Sequence, residues 1–249
     1  MTKKAFEATA QYYDLLYSDK NYAKEADFIE NCITNYASAR TILELGCGTG
    51  NYTKIFSERG YNVTGIDTSA KMLEIARKKS KSTFLNLDMR SFLLPEKYDC
   101  CLALFAVLGY VTSNSDVEKV LKNVRRHLNL NGLFIFDTWN GLAVIRNLPE
   151  TRVKKVENDT LKISRTAQPT LKPTDHTCKV NYQLLIEEKN PHVLKTINEQ
   201  HLVRFFFPKE IEYYLANTGF ELLRFCPFLE FNAKITENAW NMTIIAKAV

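Results

Sequence analysis

Through the first 140 residues, short apolar runs alternate with segments in which apolar residues recur at helical spacing. The apolar runs predict five strands, at 41–45, 61–66, 83–87, 98–105 and 133–136. The amphipathic segments predict four helices, at 22–37, 52–59, 70–79 and 116–127. Ser69 is the expected N-cap of the helix at 70–79, and Asp116 is the expected N-cap of the helix that ends at His127. His127 itself is expected on a solvated face of that helix. Alternation of nearly continuous apolar strands with helices is typical of a parallel sheet covered on both faces.

After residue 150 the pattern changes to alternating polar and apolar positions, which predicts three or four antiparallel strands before residue 207. Pro208 then begins a predicted helix at 209–217, and two further strands are expected at 220–225 and 242–248. The predicted fold is therefore α/β, doubly wound around a mostly parallel seven-stranded sheet, with an antiparallel β insertion after strand five. We expect residues 1–148 and 208–249 to form one Rossmann-like domain with an N-terminal helical lid, and residues 149–207 to form the insertion.

Composition narrows the class of protein. The chain is 45% hydrophobic and 24% charged, as in ordinary globular proteins. Its longest uncharged apolar run, 100–111, is too short for the roughly 20 residues that span a bilayer. No apolar signal segment follows the N-terminus, so we expect a cytoplasmic protein without membrane contact. The six cysteines lack paired spacing, which predicts reduced thiols, no metal site and no disulfide framework.

The formal net charge is +5, and the basic residues are spread along the chain. Nucleic-acid-binding proteins usually concentrate positive charge on one surface. The charge therefore disfavours a nucleic-acid partner and favours a small acceptor molecule that could be anionic.

The segment Glu44–Asn51, ELGCGTGN, carries the strongest chemical signal and lies between the first strand and its helix. Its spacing is G-x-G-x-G, whereas dinucleotide sites use G-x-G-x-x-G and would place a third glycine at Asn51. The carboxylate of Glu44 suits a cationic ligand better than a pyrophosphate. Asp67 and Asp88 end the next two strands, and the carboxyl ends of parallel strands meet at one sheet edge.

With these residues the sequence resembles the class I S-adenosylmethionine-dependent methyltransferases. The resemblance implies that Gly46, Gly48 and Gly50 hold the methionine part of the cofactor. It also implies that Asp67 binds the ribose hydroxyls and that Asp88 binds the adenine amine, with Met89 beside the ring. Further expected cofactor contacts are Glu44, Cys47, Thr68, Met72 and Phe105. The stretch at 11–17, QYYDLLY, resembles the family's N-terminal lid, in which we expect Tyr13, with Tyr22 as a second tyrosine, to contact S-adenosylmethionine.

The segment after strand four constrains the acceptor. Residues 104–110 read LFAVLGY, without the Asn/Asp-Pro-Pro-aromatic motif of base amino-methyltransferases. A closer resemblance is to the methyltransferases of nucleotide-linked amino-deoxysugars, which share the Tyr-Asp-x-x-Tyr-like opening, the antiparallel insertion and a Glu-x-His tract, here 199–201. That family often places a histidine after a glycine where this chain has Gly109-Tyr110.

The predicted function is methyl transfer to an amine or hydroxyl of a small polar acceptor, such as a nucleotide-linked sugar or a surface-polysaccharide precursor. Candidate catalytic residues are Tyr110, His201 and Tyr13, and either Tyr110 or His201 could act as the base. Candidate acceptor contacts are Tyr110, Trp139, Asn140, Arg152, Tyr182 and Arg204, and Asp137 at the end of strand five is also expected on the acceptor side. The alternatives are a methyltransferase acting on an amino acid or other small amine and a non-catalytic cofactor-binding protein. Either a monomer or a homodimer is compatible with the sequence.

Overall fold

The computed structural model describes residues 6–249, which form one sheet of seven strands and one of four. The larger sheet contains β1 (Thr41–Leu45), β2 (Asn62–Asp67), β3 (Thr83–Asn86), β4 (Tyr98–Ala103), β5 (Leu128–Trp139), β10 (Phe220–Pro227) and β11 (Asn241–Ala248). The smaller sheet contains β6 (Arg152–Glu157), β7 (Leu161–Lys172), β8 (Thr177–Lys189) and β9 (His192–Arg204). The α-helices of the described residues are α1 (Tyr13–Leu16), α2 (Tyr22–Tyr36), α3 (Asn51–Glu58), α4 (Ala70–Lys79), α5 (Asn114–His127), α6 (Gly141–Arg146) and α7 (Pro208–Ala216).

The strand order of the larger sheet is β10-β11-β5-β4-β1-β2-β3. Strands β3, β2, β1, β4 and β5 run parallel, and β11 and β10 complete the sheet in antiparallel pairing. The predicted fold class is therefore confirmed. Because the strand order reverses between β1 and β4, a crevice opens at the carboxyl ends of these two strands.

Successive residues of each central strand pack on opposite faces of the sheet, as the strand period of two requires. In β1, Leu43 and Leu45 join an apolar cluster that includes residues of α5 and α7, whereas Ile42 joins a second cluster with residues of α2 and α3. Both faces of the sheet are thus covered by helices. This two-sided burial explains why the central strands are apolar at nearly every position.

The four-stranded sheet is an antiparallel meander in the order β6-β7-β8-β9, within the range predicted for the insertion. It follows α6, and its last strand leads through a short connection into α7. The chain segment before α2 packs against it, since Tyr12 and Leu16 share an apolar cluster with Ile163, Leu184 and Ile186. The meander therefore stands beside the N-terminal segment at the edge of the larger sheet.

Two local predictions were wrong and one was confirmed. The hydroxyl of Ser69 caps α4 by accepting a hydrogen bond from Met72, as predicted. Helix α5 begins at Asn114 and is capped by Ser113, three residues before the predicted cap, so that Asp116 lies inside its first turn. His127 is buried, because its ring fills the space beside Phe92 and bridges the backbone groups of Leu94 and Asn123.

Candidate active site

A cavity of about 310 Å³ occupies the crevice at the carboxyl ends of the parallel strands. It is bounded by the loop after β1, the end of β2, the segment after β4, the N-terminal segment and the meander. From the sequence-predicted site it contains Tyr13, Tyr22, Glu44, Gly46, Cys47, Gly48, Asp67, Thr68, Met72, Met89, Phe105, Tyr110, Trp139 and Tyr182. The fold thus gathers residues that lie far apart in the chain.

The loop after β1 turns through glycines whose conformations other residues rarely adopt. Gly46 has φ +62°, and a Cβ there would lie 2.7 Å from Cγ1 of Val107. Gly48 has φ +55° and lines the cavity, but a Cβ built on it would meet no atom within 4 Å. The bare backbone at Gly48 therefore leaves room for a ligand to approach the main chain, which is the role expected of this loop. Gly50, with φ +75°, precedes α3 and packs against Ala76 rather than lining the cavity.

Asp67 fixes the loop from the end of β2. Its Oδ2 accepts a hydrogen bond from the backbone N–H of Gly48 at 2.9 Å, and its Oδ1 accepts one from Ser69 at 2.7 Å. Burial raises the pKa of Asp67, and these backbone donors oppose the shift. The carboxylate lines the cavity, and the backbone N–H groups of Gly48 and Ser69 fix its position.

Glu44 lies beneath the loop and is only 2% exposed. Its carboxyl group accepts a hydrogen bond from the hydroxyl of Thr53. Burial raises the pKa of Glu44 to about 8, and the neighbouring carboxylate of Asp67 adds to the shift. A ligand with positive charge in this part of the cavity would oppose that shift and favour the ionised carboxylate.

Asp88 lies outside the lining of the main cavity. Its carboxylate pairs with the guanidinium of Arg90 at 2.9 and 3.1 Å, in a shallow hollow that also includes Thr68. The residues on either side of Asp88, Leu87 and Met89, do line the cavity. Asp88 is therefore at its rim.

The N-terminal segment covers the cavity with aromatic rings. The ring centroids of Tyr13 and Tyr17 are 4.7 Å apart, and that of Tyr17 is 5.2 Å from Phe105. Burial raises the pKa of Tyr13, so its hydroxyl stays protonated at neutral pH. Asp14 anchors the segment to the glycine loop by accepting a hydrogen bond from the hydroxyl of Thr49 at 2.7 Å.

On the other side of the cavity, Tyr110 and Tyr182 extend the lining towards the meander. The hydroxyl of Tyr110 lies 2.8 Å from Nδ1 of His201, which is itself buried behind the cavity wall. Trp139, at the end of β5, lines the same region and contacts Trp240 edge-on. The two residues proposed from the sequence as alternative bases, Tyr110 and His201, are therefore in direct contact.

Three expected acceptor contacts are not among the residues that line the cavity. Arg204 is buried in an ion pair with Glu210, and its guanidinium also contacts Thr112 and Asn114. Asn140 is fully buried and uses its amide to hold the backbone of the segment before β11. Arg152 is exposed at the start of β6. Arg204 and Asn140 do not reach the cavity because their side chains are already engaged in this ion pair and these hydrogen bonds.

The cavity region also contains residues that the sequence analysis did not single out for the site. These are Tyr17, Lys20, Arg165 and Glu199. Lys20 places its ammonium 4.3 Å from the ring centroid of Phe105 and pairs with Glu25. Arg165 stacks on Tyr17 and Tyr182, at 5.3 and 5.2 Å from their ring centroids. Two of them carried a usable signal: Tyr17 ends the Tyr-Asp-x-x-Tyr-like opening, and Glu199 is a carboxylate two residues from a histidine in a strand and so shares its face.

Within residues 6–249 no group of three or more His, Cys, Asp or Glu side chains is arranged to hold a metal ion. In the same range every helix is too short or too polar to cross a bilayer. All six cysteines are buried and unpaired.

Comparison with known proteins gives a family match over the region that contains β1 to β4. Residues 42–132 match a family described as a methyltransferase domain. Over 224 residues the chain is 28% identical to the "Putative methyltransferase YqeM" of Bacillus subtilis (strain 168), covering 88% of this chain and 87% of that protein. It is 29% identical over 134 residues to the dTDP-3-amino-3,4,6-trideoxy-alpha-D-glucopyranose N,N-dimethyltransferase of Streptomyces venezuelae. That match covers 52% of this chain and 56% of the Streptomyces protein, little more than half of either.

Among solved structures, a S-adenosylmethionine-dependent methyltransferase from Clostridium acetobutylicum ATCC 824 superposes with a TM-score of 0.80 at 23% identity, covering 96% of both chains. The agreement in fold includes the meander as well as the larger sheet. The glycine loop with its open space at Gly48, the carboxylate of Asp67 and the aromatic cover suit a ligand that combines an amino acid, a sulfonium and a ribose. Residues 42–132 thus match a methyltransferase domain, the solved structure has the same class I fold, and together these matches support an S-adenosylmethionine-dependent methyltransferase.

Proposed function

We propose that this enzyme methylates the amine of a small, polar, anionic acceptor, and that the acceptor is a nucleotide-linked amino sugar. The observation that carries the proposal is the continuity of the cavity. It runs from the glycine loop past Phe105 to a second region lined by Tyr110, Trp139 and Tyr182, so that two ligands can meet inside one enclosure.

In this proposal the loop end of the cavity holds S-adenosylmethionine. The backbone at Gly46 and Gly48 receives the methionine part, and Asp67 receives the ribose hydroxyls. Leu87 and Met89 border the adenine, with Asp88 at the rim. When bound, the cofactor supplies an electrophilic methyl group on a sulfonium. The other residues proposed to contact it are Tyr13, Tyr22, Glu44, Cys47, Thr68, Met72 and Phe105, while Gly50 shapes the loop.

The chain's contribution to methyl transfer is alignment and exclusion of water. Tyr13, Tyr17 and Phe105 form a continuous aromatic wall over the cavity, and aromatic faces favour a nearby cation. Holding two reactants in line within a dry site lowers the entropic part of the barrier, which is the main requirement for displacement on a sulfonium.

An amine acceptor is favoured over a hydroxyl by the charge in the cavity wall. The carboxylate of Asp137 is buried there, and burial raises its pKa to about 6, so it is largely ionised at neutral pH. Methylation converts a neutral amine into a cationic ammonium, and a fixed carboxylate stabilises that product. The Streptomyces venezuelae relative is named for an N,N-dimethyltransferase of a dTDP-linked amino sugar, which agrees with this preference.

Two cations near Tyr17 support an anionic acceptor. Arg165 donates a hydrogen bond to the hydroxyl of Tyr17 at 3.0 Å, and the ammonium of Lys154 lies 5.5 Å from the same ring. Both belong to the meander and reach the edge of the cavity cover. We assign to them the electrostatic attraction of a diphosphate, whereas the sequence had indicated Arg152 and Arg204 as the basic acceptor contacts.

We propose the same domain division as the sequence indicates, with residues 149–207 forming a cover for the acceptor. A cytoplasmic location agrees with six unpaired buried cysteines. A monomer and a homodimer are both compatible with this assignment.

The proposal is tested by an acceptor screen with the full chain and S-adenosylmethionine, following release of S-adenosylhomocysteine. The acceptors are dTDP-3-amino-3,4,6-trideoxyglucose, dTDP-glucose, malonyl-[acyl-carrier protein] and a free amino acid. We expect turnover with the amino sugar and, at subsaturating S-adenosylmethionine, turnover slower by about tenfold or more with the variant Asp67→Ala. Turnover with another acceptor alone, or none with any acceptor although the cofactor binds, would contradict the proposal.

A further inference from the structure

A buried chain of polar groups leads away from the acceptor side of the cavity. The hydroxyl of Tyr110 lies 2.8 Å from Nδ1 of His201, and Nε2 of the same ring lies 3.8 Å from Oε2 of Glu199. Glu199 and His201 are two residues apart in β9, so their side chains share the buried face of the strand. The first of these is a hydrogen-bond distance and the second an ion-pair distance, and Nε2 makes no hydrogen bond to any other described residue. The chain Tyr110–His201–Glu199 is defined by these two separations.

The far end of this chain is held as a carboxylate. Oε2 of Glu199 accepts a hydrogen bond from the hydroxyl of Thr9 at 2.6 Å. Burial acts to raise the pKa of Glu199, but its interactions with His201 and Thr9 outweigh this and place the pKa below its ordinary value. A negative charge therefore faces Nε2 of His201.

That charge selects the tautomer of the neutral imidazole. A ring nitrogen beside a carboxylate carries the proton, and the other nitrogen is left as an acceptor. With the proton on Nε2, Nδ1 accepts the hydrogen bond that Tyr110 donates. The Tyr110 hydroxyl then donates its only proton to His201, so its oxygen can act only as an acceptor towards a ligand in the cavity.

We propose that Glu199 fixes the tautomer of His201 so that Tyr110 presents a proton-accepting oxygen to the bound acceptor, and that these residues relay the acceptor's proton. The inference rests on the proposed function, because it describes which residues accept the proton that a methylated amine releases. Tyr110 is the catalytic residue, and His201 and Glu199 are positioning residues that act through it.

Bonds and protons balance along this relay. The acceptor nitrogen forms a bond to the methyl carbon as the carbon–sulfur bond breaks, and the bonding pair leaves with the sulfur. The ammonium product gives one proton to the oxygen of Tyr110, which passes its own proton to Nδ1 of His201. The imidazolium is then balanced by the carboxylate of Glu199. Burial raises the pKa of Tyr110, so a free phenolate is disfavoured and the two proton movements must be coupled.

The surroundings of His201 protect this arrangement. Its ring packs edge-on against Phe6 at 4.5 Å and Tyr182 at 4.9 Å between centroids. Arg165 is a cation that lines the same small hollow beside Glu199 and His201. The imidazole is therefore held in place by aromatic rings, with Nδ1 towards Tyr110 and Nε2 towards Glu199.

The tautomer is measurable without any acceptor or cofactor. The full chain labelled with ¹⁵N-histidine would be studied by long-range proton–nitrogen correlation at mildly alkaline pH, with His201 assigned by its loss in His201→Gln. We expect Nε2 protonated and Nδ1 unprotonated. In Glu199→Gln the tautomer ratio should move towards Nδ1–H by about tenfold, because the carboxylate charge is gone.

Glu187→Gln is the matched control, since Glu187 lies 3.7 Å from Nδ1 of the surface residue His192, and it should leave the His201 signals unchanged. If Glu199→Gln does not fold, Tyr110→Phe should shift the Nδ1 resonance of His201 and leave Nε2 in place. A wild-type His201 protonated on Nδ1, or a tautomer ratio unaffected by Glu199→Gln, would overturn the relay. Either result would leave methyl transfer, which the acceptor screen tests, untouched.

Discussion

Oδ1 of Asp137 accepts a hydrogen bond at 2.5 Å from the backbone N–H of Phe105, a non-glycine residue with φ +69°. Its Oδ2 accepts another, at 3.0 Å, from Ala106, which has φ +57°. Two consecutive left-handed residues are costly, and they persist where the surroundings over-determine them. One buried carboxylate at the end of β5 thus holds the turn after β4 that forms the middle of the cavity wall.

Replacing Asp137 with Asn should damage both stability and cofactor binding. The amide keeps one acceptor oxygen but turns an NH₂ group towards a backbone donor, which leaves that donor unsatisfied at a cost of about 1–3 kcal/mol. Because Phe105 lines the cavity, we also expect affinity for S-adenosylmethionine to fall about tenfold. Denaturant unfolding and calorimetric titration measure the two effects.

Asp99→Asn is the control for that substitution. Asp99 also accepts backbone N–H groups, from Arg40 and Thr41, but at the end of β4 that lies away from the cavity. Its replacement should lower stability and leave cofactor affinity unchanged. An equal loss of affinity in both variants would show that Asp137 has no specific role in the cavity wall.

Gly48→Ala separates backbone strain from loss of ligand space. The new methyl group meets no atom of the chain within 4 Å, so the structural cost is the strain at φ +55°, about 1 kcal/mol. If the methionine part of the cofactor approaches Gly48, affinity should nevertheless fall by about tenfold or more. Gly60→Ala is matched, since Gly60 has φ +91° and equally open surroundings away from the cavity. Equal cofactor affinities in the two variants would remove Gly48 from the binding site.

The buried Glu44 should give the unliganded protein a characteristic pH dependence. The folded chain keeps the Glu44 proton up to pH about 8, whereas the unfolded chain loses it near 4.5. Between these values the folded state binds more protons, so the free energy of unfolding falls as pH rises. From pH 5 to pH 8 the free energy of unfolding of the wild type should fall by roughly 3 kcal/mol more than that of Glu44→Gln, as measured by urea unfolding. The exposed Glu58→Gln should behave like wild type, and parallel pH profiles for Glu44→Gln and wild type would contradict the assignment.

Tyr110→Phe removes the hydroxyl and keeps the ring. If Tyr110 accepts the proton of the amine, kcat with the dTDP-linked amino sugar should fall about 10²-fold. The KM for S-adenosylmethionine should stay within about twofold, because the cofactor end of the cavity is unchanged. Tyr213→Phe, on the exposed face of α7, should change neither constant. An unchanged kcat in Tyr110→Phe would show that the hydroxyl takes no part in the reaction.

Much of the fold could be predicted because local signals and tertiary packing agree. The run at 41–45 is apolar on both faces, and the structure buries it between two helical layers. Ser69 caps its helix through a contact three residues away, which local sequence specifies. The prediction for His127 was wrong because the side chain is drawn inward by the backbone of Leu94, a residue distant in sequence.

The sequence predicted the location of those candidate-site residues that lie at the carboxyl ends of the parallel strands, because the order of the strands determines where these ends meet. Gly48 and Asp67 lie at neighbouring strand ends, so the order of elements brings them together. Arg204 could not be placed from sequence, because its burial depends on Glu210 and on a turn some 90 residues away. The contact between Tyr110 and His201 likewise requires the register of β9 within the meander, which alternation alone does not define.

The most direct test is calorimetric titration of the full chain with S-adenosylmethionine, S-adenosylhomocysteine and NAD⁺, on wild type and Asp67→Ala. If the cavity at the ends of β1 and β2 is the cofactor site, the first two ligands should bind with micromolar affinity, and NAD⁺ should not. In Asp67→Ala their affinity should fall by about tenfold or more, since the variant removes both the proposed ribose contact and the hydrogen bond that holds Gly48. Undiminished binding in Asp67→Ala, or a preference for NAD⁺, would contradict the account.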